Sequence, residues 1–248
     1  MRQPPSSGGV SLPVAILAGG LATRLRPITT QIPKSLLDVA GQPFAAHQIE
    51  WLRRQGITEI VFCVGHLGEQ VEQALGDGRR WGVRLRYVFD GPTLLGTGGA
   101  LRQALPVLGE AFFVMYGDSY LTCDYGAVEQ AFRSSGQPGL MTVFCNDDAW
   151  DRSNVEFANG RIIRYDKRTR TPEMRHIDYG LGILQARAFA AYPPETALDL
   201  ATLYQDLLAA DQLAGWEAPE RFYEIGSPAG LEETRQYLAS TGKSGAVG

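Results

Sequence analysis

The chain has 248 residues, of which 44% are hydrophobic, and it carries a formal net charge of −4. This length and composition suit one α/β domain or one and a half. Because the net charge is negative, the protein has no overall positive field that would attract nucleic acid. No apolar run approaches the length needed to span a bilayer, so neither a nucleic acid nor a membrane is an expected partner.

The two ends and the cysteines indicate how the chain is organised. Residues 1–12 are polar and rich in Pro, Gly and Ser, and they lack the apolar segment of a signal peptide. We therefore expect flexible tails at 1–12 and 241–248, a single domain at 13–240 and a cytoplasmic location. The three cysteines have no short spacing, which predicts buried thiols rather than a disulfide framework or a zinc site.

The first informative stretch begins with Val14–Leu17, four apolar residues that predict a buried strand. The small residues 18–20 follow, and they let backbone N–H groups approach a ligand closely. Arg24 and Lys34 bring positive charge to the same region. This combination predicts phosphate binding at the carboxyl end of the strand, although neither the dinucleotide fingerprint nor the P-loop pattern fits these residues.

This stretch resembles the signature of the sugar-1-phosphate nucleotidyltransferases, also called sugar-nucleotide pyrophosphorylases. The shared residues are Leu17, Ala18, Gly19, Gly20, Thr23, Arg24, Leu25, Pro27, Thr29, Pro33 and Lys34. The resemblance implies a Rossmann-like, GT-A-like α/β fold with a mostly parallel sheet flanked by helices. It also implies nucleotide contacts from Leu17–Gly20 and Thr23, and phosphate contacts from Arg24 and Lys34. The family usually has Gly where this chain has Ala22, and the methyl group matters if the backbone there needs a positive φ.

The segments after the signature alternate between helix and strand patterns. They predict an extended piece at 36–39, helices at 44–55 and 67–75, and strands at 60–64 and 83–89. Strands and helices that alternate at this spacing favour a mostly parallel sheet with crossover helices.

The second informative stretch is the glycine-rich segment Asp90–Leu105. Gly96, Thr97 and Gly98 open a predicted helix directly after a strand, where exposed N–H groups and a small surface suit a nucleobase or a ribose. A glycine loop that only reverses the chain is the structural alternative. The segment resembles the guanylyltransferase branch of the family, whose members act on mannose 1-phosphate and heptose 1-phosphate. This resemblance implies GTP as the nucleotide and places Asp90 near its base.

A strand predicted at 111–116 ends in Gly117-Asp118-Ser119. The carboxyl end of a central strand faces the same crevice as the glycine turn, and a carboxylate beside nucleotide phosphates needs a divalent cation between them. Asp118 is therefore the first predicted Mg²⁺ ligand, and a plain turn residue is the alternative. The family has a Gly-Asp metal ligand at the equivalent place.

The next part of the chain predicts a helix at 125–134, a strand at 140–145 and a hairpin at 154–166 that turns at an Asn-Gly pair. Asp166 and Lys167 stand at its end. By resemblance to the Glu-Lys pair of the family, they contact the sugar phosphate, whereas the residues alone predict a solvated basic loop. The resemblance implies that this hairpin forms a small sugar-binding subregion.

A strand predicted at 176–184 contains two glycines, and glycines inside a strand often mark a close approach to a ligand. The family has Asn-Ala-Gly where this chain has Asp178-Tyr179-Gly180. The resemblance therefore places Tyr179 and Gly180 at the sugar pocket. Because the chain departs from the family at two of the three positions, the identity of the sugar is left open.

Helices are predicted at 198–213, where leucines fall near one face, and at 230–239. The segment before the second helix resembles a family element, aromatic-x-Asp-Ile-Gly-Thr-Pro, whose Asp is the second metal ligand. Glu224 stands at that place here. Oxygen ligands suit Mg²⁺, so Asp118 and Glu224 together predict a Mg²⁺ site.

The resemblance implies an enzyme that converts an NTP and a sugar 1-phosphate into an NDP-sugar and pyrophosphate by in-line attack on the α-phosphorus. The favoured small-molecule partners are GTP and a mannose- or heptose-type sugar 1-phosphate, with Mg²⁺ as cofactor. The sequence leaves several alternatives open: UTP, CTP or dTTP, another sugar 1-phosphate, a phospho-alcohol or phosphonate, and a catalytically silent regulatory homologue. It also leaves the oligomeric state open, with a homodimer as the candidate.

Overall fold

The computed structural model describes residues 10–20, 22–91, 95–194 and 196–243, without the side chains of Thr23 and Lys243. Within these residues the α-helices are α1 (Phe44–Arg54), α2 (Gly68–Leu75), α3 (Gly96–Leu108), α4 (Tyr125–Ser135), α5 (Leu200–Ala209) and α6 (Pro228–Lys243). The strands are β1 (Val14–Leu17), β2 (Asp38–Val39), β3 (Gln42–Pro43), β4 (Glu59–Val64), β5 (Arg84–Phe89), β6 (Ala111–Tyr116), β7 (Ser119–Tyr120), β8 (Gly139–Cys145), β9 (Val155–Ala158), β10 (Arg161–Tyr165), β11 (His176–Gln185), β12 (Leu213–Glu217) and β13 (Tyr223–Glu224). None of the helices described here has the length and apolar character needed to cross a bilayer.

Nine of the described strands form one sheet, and its long path runs β12-β8-β11-β6-β1-β4-β5. The strands β6, β1, β4 and β5 are parallel to one another, and β12 is parallel to β8. β11 runs antiparallel to β6 and β8. The predicted α/β fold with a mostly parallel sheet is thus confirmed, and the carboxyl ends of β1 and β6 lie at the same edge of that sheet.

Helices cover both faces of the sheet, and side chains of the central strands alternate between two apolar clusters. Ile16 and Phe62 belong to the cluster with α1, α2 and α4, whereas Ala15 and Val61 belong to the cluster with α3 and α5. Strands that are buried on both faces consist of continuous apolar runs, which is why the sequence predicts β1, β4 and β6. A third cluster joins α6 to β2 and to the start of α1.

The strands β9 and β10 form the predicted hairpin. Its turn residues, Asn159 and Gly160, have φ values of +53° and +75°, as a type I′ turn requires. The hairpin is attached at the amino end of β11, where His176 pairs with Val155. It therefore continues the sheet beside the antiparallel strand.

The chain departs from the prediction between residues 198 and 217. The helix predicted at 198–213 is confirmed only over α5, because Asp199 caps its start and the backbone enters the left-handed region at Asp211. Leu213 instead begins β12, an unpredicted strand that pairs with β8. Its side chain is buried in the same cluster as those of α5, so its apolar character does not distinguish helix from strand.

The ends assigned to flexible tails stay predictions, because residues 1–9 and 244–248 lie outside the described part of the chain. The described residues next to them belong to the folded structure. Ser11 N and Oγ donate hydrogen bonds to the Glu129 carboxylate at 3.0 and 2.7 Å, and residues 241–243 form the last turn of α6.

Candidate functional site

The turn after β1 borders a cavity of about 300 Å³, which we call the small cavity. Backbones approach each other closely here. A Cβ on Gly19 would lie 3.1 Å from Gly65 N, and a Cβ on Gly117 would lie 2.6 Å from Leu17 O, so a larger residue would be tight at Gly19 and would clash at Gly117. The predicted nucleotide-binding residues along its wall are Leu17, Ala18, Gly19, Gly20, Asp90, Gly96 and Thr97.

Asp90 follows β5 and lies against the glycine turn at the wall of the small cavity. Its Oδ2 is 3.1 Å from the Cβ position of Gly19 and 3.2 Å from that of Gly65. Burial raises the pKa of Asp90 above its usual range, because surroundings of low polarity disfavour the charged form. N–H groups of a ligand would therefore stabilise the Asp90 carboxylate.

The start of α3 closes one side of the small cavity and is held by the Leu198 carbonyl. Gly98 N donates to Leu198 O at 2.8 Å, and a Cβ on Gly98 would lie 2.7 Å from the Leu198 side chain. Thr97 Oγ1 donates to Asp199 Oδ1 at 3.2 Å. Gly96 and Thr97 line the small cavity, whereas Gly98 does not line it and permits the close contact with Leu198.

Lys34 and Asp118 also line the small cavity. Lys34 Nζ donates to Asp118 Oδ2 at 2.6 Å, and the two side chains are 18% and 27% exposed. A predicted phosphate-binding cation and a predicted Mg²⁺ ligand therefore share one place. The side chain of Thr23, the remaining predicted nucleotide contact, lies outside the described part of the chain.

A second cavity, which we call the large cavity, has a volume of about 770 Å³. Tyr116 and Asp118 line both cavities, so the two are neighbours across these side chains. The other predicted site residues along its wall are Arg24, Asp166, Lys167, Tyr179, Gly180 and Glu224. The two predicted catalytic cations are thus divided, since Lys34 borders the small cavity and Arg24 borders the large one.

Asp178 is a buried acidic residue at the wall of the large cavity, with a side chain that is 5% exposed. Its Oδ2 accepts hydrogen bonds from Tyr116 Oη at 3.3 Å and from Tyr165 Oη at 3.2 Å, and its Oδ1 accepts one from Gly180 N at 3.0 Å. Lys167 Nζ lies 3.6 Å from Asp178 Oδ2. A buried charge needs such a partner and such donors, and Asp178 has both.

Sequence reasoning missed the set of Tyr116, Tyr165 and Asp178. Burial, and next the Asp178 charge, raise the pKa of both tyrosines well above their usual range, so both hydroxyls stay protonated and donate. The pairing register of β11 with β8 shifts between Asp178 and Gly182. Such an irregularity changes the direction in which a side chain points. The available signal was the acidic residue at a place where the family has Asn.

The loop after β10 places Lys167 at the wall of the large cavity. Lys167 Nζ donates to Tyr116 Oη at 3.2 Å. Asp166 Oδ1 accepts hydrogen bonds from Thr169 N at 2.9 Å and Arg168 N at 2.7 Å, and these N–H groups hold the pKa of Asp166 below its usual range. Asp166 therefore uses one carboxylate oxygen to order the loop.

Tyr179 and Gly180 also line the large cavity. Tyr179 is buried, and its Oη accepts a hydrogen bond from Thr122 N at 3.2 Å. Gly180 has φ +94°, and a Cβ there would lie 3.3 Å from the Tyr116 ring. Only glycine adopts this conformation without strain, so the position serves the shape of the cavity wall.

Asp118 and Glu224 come together where β7 pairs with β13. Around the Cβ position of Gly226, Asp118 Oδ2 lies at 3.2 Å and Arg24 Nη2 at 3.4 Å, with Glu224 Oε2 in direct contact. Oxygens of two carboxylates near one point suit a hard divalent cation such as Mg²⁺. The donor set therefore fits a Mg²⁺ ion held by Asp118 and Glu224.

Glu224 also orders the start of α6. Its carboxylate accepts hydrogen bonds from Gly226 N and, at 2.7 Å, from Ser227 Oγ. Ser227 Oγ in turn accepts one from Gly230 N at 3.0 Å. Each carboxylate oxygen has two acceptor positions, so these contacts leave room for a cation.

The sequence profile of the nucleotidyl transferase family matches residues 14–155, more than half of the chain. The chain belongs to this family. Every described residue that lines the small cavity lies within the matched segment. The large cavity of this nucleotidyl transferase family member extends beyond it, to Asp178, Arg221 and Glu224.

Individual relatives of this family member differ in the substrates that their names state. Over 120 residues, the chain is 43% identical to the N-acetylmuramate alpha-1-phosphate uridylyltransferase of Neisseria meningitidis serogroup B, with 48% of this chain and 52% of that protein covered. Over 219 residues, it is 26% identical to the mannose-1-phosphate guanyltransferase beta-A of Xenopus laevis, with 86% and 61% covered. The matches thus span about half to three-fifths of the length of these relatives.

A solved structure shows that the fold is shared. The crystal structure of HddC from Yersinia pseudotuberculosis complexed with GMP-PN matches with a TM-score of 0.77 at 22% identity. The match covers 92% of this chain and 100% of that one. The Rossmann-like nucleotidyltransferase fold that the sequence predicts is therefore confirmed.

Proposed function

We propose that the chain is a nucleotidyltransferase that joins an NTP and a sugar 1-phosphate into an NDP-sugar, with release of pyrophosphate. The observation that carries the proposal is the wall shared by the two cavities, since Asp118 and Tyr116 border both. The small cavity has the glycine turn that suits a phosphate chain, and the large cavity has the cations Arg24 and Lys167. Two reactants on either side of one carboxylate have the proximity that an in-line transfer needs.

In this proposal the NTP occupies the small cavity, with its base near Asp90 and its phosphates over Gly19 and Gly20. Lys34 meets the α-phosphate. Arg24 borders the large cavity beyond Asp118, so the β- and γ-phosphates extend past Asp118 to meet it before they leave as pyrophosphate. Both cations stabilise the negative charge that grows on the phosphate oxygens as the α–β bond breaks.

The sugar 1-phosphate occupies the large cavity, where Lys167 meets its phosphate and Asp166, Tyr179 and Gly180 shape the pocket. A phosphate oxygen of the acceptor attacks the α-phosphorus in line, and the α–β bridging oxygen leaves with pyrophosphate. The attacking phosphate is already an anion, so no general base is needed and the alignment of the two substrates supplies most of the catalysis.

Asp118 and Glu224 are the residues that would hold Mg²⁺, and the ion supplies charge neutralisation between the phosphates. Lys34 Nζ lies 2.6 Å from Asp118 Oδ2. When nucleotide phosphates draw the Lys34 ammonium away, the Asp118 carboxylate becomes available to a cation. Binding of the nucleotide and binding of the metal therefore favour each other, which is a reciprocal coupling.

GTP and a mannose- or heptose-type sugar 1-phosphate are the favoured substrates. GTP is supported by the GMP-PN in the Yersinia structure and by the guanyltransferase name of the Xenopus relative. The Neisseria relative is named as a uridylyltransferase for N-acetylmuramate alpha-1-phosphate. UTP with an amino-sugar phosphate is therefore the alternative that this relative supports.

The experiment that tests the proposal crosses GTP, UTP, CTP and dTTP with the 1-phosphates of mannose, heptose, glucose, N-acetylhexosamine and N-acetylmuramate. Release of pyrophosphate in the presence of Mg²⁺ is the readout. We expect the highest kcat/KM for GTP with a mannose- or heptose-type acceptor. If no pair releases pyrophosphate while calorimetry shows nucleotide binding, the chain is a silent binding protein and the proposal fails.

Lys34→Ala tests the assignment of the small cavity. Loss of a positioned cation that stabilises the transition state lowers kcat by about 10²–10³, as steady-state pyrophosphate release would measure. Arg79→Ala is the control, because Arg79 pairs with Asp77 on the exposed surface and lines neither cavity. Wild-type turnover in Lys34→Ala would show that Lys34 does not meet the phosphates.

A further inference from the structure

Cys145, His176 and Glu217 meet at the ends of three neighbouring strands, outside the two cavities. Cys145 ends β8 and pairs with His176, which begins β11. Glu217 ends β12 and pairs with Val143, two residues before Cys145. Paired residues, and residues two apart on one strand, point to the same face of a sheet, so all three side chains share one face. Sequence spacing gives no sign of this, since His176 and Glu217 are 41 positions apart.

The three side chains offer the donor atoms of a transition-metal site. His176 Nε2 lies 3.2 Å from Glu217 Oε1, and the ligand atoms of all three residues lie within 4.8 Å of one another. Zinc bonds of roughly 2.0–2.3 Å in a tetrahedral site place ligand atoms about 3.3–3.8 Å apart. Small side-chain rotations are therefore enough to bring the sulfur, nitrogen and oxygen around one ion.

Asp147 is a further carboxylate beside Cys145. Its Oδ2 lies 3.7 Å from Cys145 Sγ. The backbone is fixed there, because Asn146 N and Asp147 N both donate to Arg175 O, at 3.0 and 2.9 Å. The Arg175 guanidinium bonds both carboxylate oxygens of Asp147, at 2.7 and 3.2 Å, and an outer partner of this kind orients a metal ligand.

The charges at this place favour a bound cation over a free thiol. Two carboxylates, from Asp147 and Glu217, already face the thiol, and Arg175 pairs with one of them. Cys145 is exposed, so an ion can reach the cluster from solvent.

We propose that Cys145, His176, Glu217 and Asp147 form a second metal site, distinct from the predicted Mg²⁺ site, for a thiophilic divalent cation such as Zn²⁺. Binding releases the thiol proton to solvent, so the affinity rises with pH. The cluster lies at the base of the loop whose residues 149–154 line the large cavity. A bound ion ties β8, β11, β12 and this loop together and thereby adjusts the wall of the large cavity.

The test strips the full chain with a chelator, titrates it with Co²⁺ and records the absorption spectrum. A cysteine thiolate on tetrahedral Co²⁺ gives a charge-transfer band in the near ultraviolet and intense visible bands, which an all-oxygen site does not give. We expect one equivalent of Co²⁺ with this signature, displaced by Zn²⁺ and not by Mg²⁺. A weak octahedral spectrum without the thiolate band would overturn the proposal.

Variants identify the ligands. Cys145→Ser should abolish the thiolate band, and His176→Gln should weaken the affinity for Co²⁺. Cys123→Ala, which removes a buried thiol instead, and Asp118→Asn should both keep the band. Because Cys145 is exposed, its Ser variant is expected to fold, and circular dichroism checks this. A band that survives Cys145→Ser, or one that disappears in Asp118→Asn, would contradict the assignment.

Discussion

Asp178 places a negative charge at a point from which water is largely excluded. Tyr116 and Tyr165 donate hydrogen bonds to it, and Lys167 lies 3.6 Å away. Lys167 in turn donates to Tyr116 Oη. The ammonium that the proposal assigns to the acceptor phosphate is thus positioned by a buried carboxylate.

Replacing Asp178 by Asn should weaken acceptor binding more than nucleotide binding. A hydrogen bond to a charged group contributes about 1.5–3 kcal/mol, so the KM for the sugar phosphate should rise about tenfold or more, with the KM for the NTP little changed. Initial rates at varied concentrations of each substrate measure both constants. Asp211→Asn, which removes an exposed pair with Arg161, is the control, and an equal rise in both KM values for Asp178→Asn would contradict the positioning role.

Ala22 has φ +46°, in the left-handed region that favours glycine, and an alanine there costs about 1 kcal/mol. Ala22→Gly removes this strain but increases the entropy of the unfolded chain, worth about 0.4–1 kcal/mol, so the free energy of unfolding should change by less than about 1 kcal/mol. Ala22→Val should lower it by more than about 1 kcal/mol, because a β-branched residue is strained there. Urea titrations compare the two, and a valine variant as stable as the glycine variant would contradict this account.

Asp90 predicts a pH dependence of stability. Burial raises its pKa in the folded chain, so between the usual value of 3.8 and the raised value the folded chain binds more protons than the unfolded one. Stability therefore falls as pH rises through that interval, and above it the penalty is fully present. Asp90→Asn should be more stable than the wild type at neutral pH, and this advantage should shrink as pH falls towards 3.8. Urea unfolding at both pH values measures the difference, and a constant difference would contradict the prediction.

At the scale of elements, the start of α6 links helix stability to the candidate Mg²⁺ site. Ser227 precedes Pro228, and proline is well suited to the first helical position. Ser227 Oγ accepts from Gly230 N and donates to Glu224. The same serine thus caps the helix and holds a predicted metal ligand.

Ser227→Ala should lower the free energy of unfolding by about 1 kcal/mol, the usual effect of losing a helix cap. It should also weaken activation by Mg²⁺, because Glu224 loses a donor that orients it. Ser227→Thr keeps the hydroxyl and serves as the matched variant. Denaturant unfolding and a Mg²⁺ titration of activity measure the two effects, and equal behaviour of the Ala and Thr variants would contradict both roles.

Elements that depend on residues close together in the sequence could be predicted. Elements that depend on contacts between residues far apart in the sequence could not. The strands β1, β4 and β6 are apolar because both of their faces are covered, and the Asn-Gly pair marks its own hairpin turn. The sequence does not identify β12, because its pairing with β8 is a long-range contact. Its Gly215 lies against Phe157 of the hairpin, 2.7 Å from the Cβ position, which no local pattern reveals.

For the whole molecule, the wall of the small cavity could be predicted from the sequence better than that of the large cavity. The glycine turn and Asp118 directly follow buried strands, so their shared edge can be deduced from the alternation of strands and helices. Tyr116, Tyr165 and Asp178 come from three strands and meet only after the sheet has formed. Gly98 lies in the stretch that was easier to predict, yet its local pattern is misleading. The sequence predicts that it faces a ligand, whereas in the structure it permits the close contact with Leu198.

The two cavities draw on different halves of the sheet. The small cavity is built from the ends of β1 and β4, from Asp90 after β5 and from α3. The large cavity is built from β11, from the loops that follow β8 and β10, and from the segment before α6. β6 lies between these halves and ends beside Asp118 and Tyr116, the side chains that border both cavities.

In the proposed function, this division lets much of the acceptor side change without a change on the nucleotide side. The family profile ends at residue 155, where the hairpin begins. A chimera joined at that point would keep the wall of the small cavity and replace Asp166, Lys167, Asp178 and Glu224 of the large one, while Arg24 and residues 149–154 would stay. In the proposed function, relatives that share a base but differ in the sugar would differ mostly after residue 155 and in the 149–154 loop.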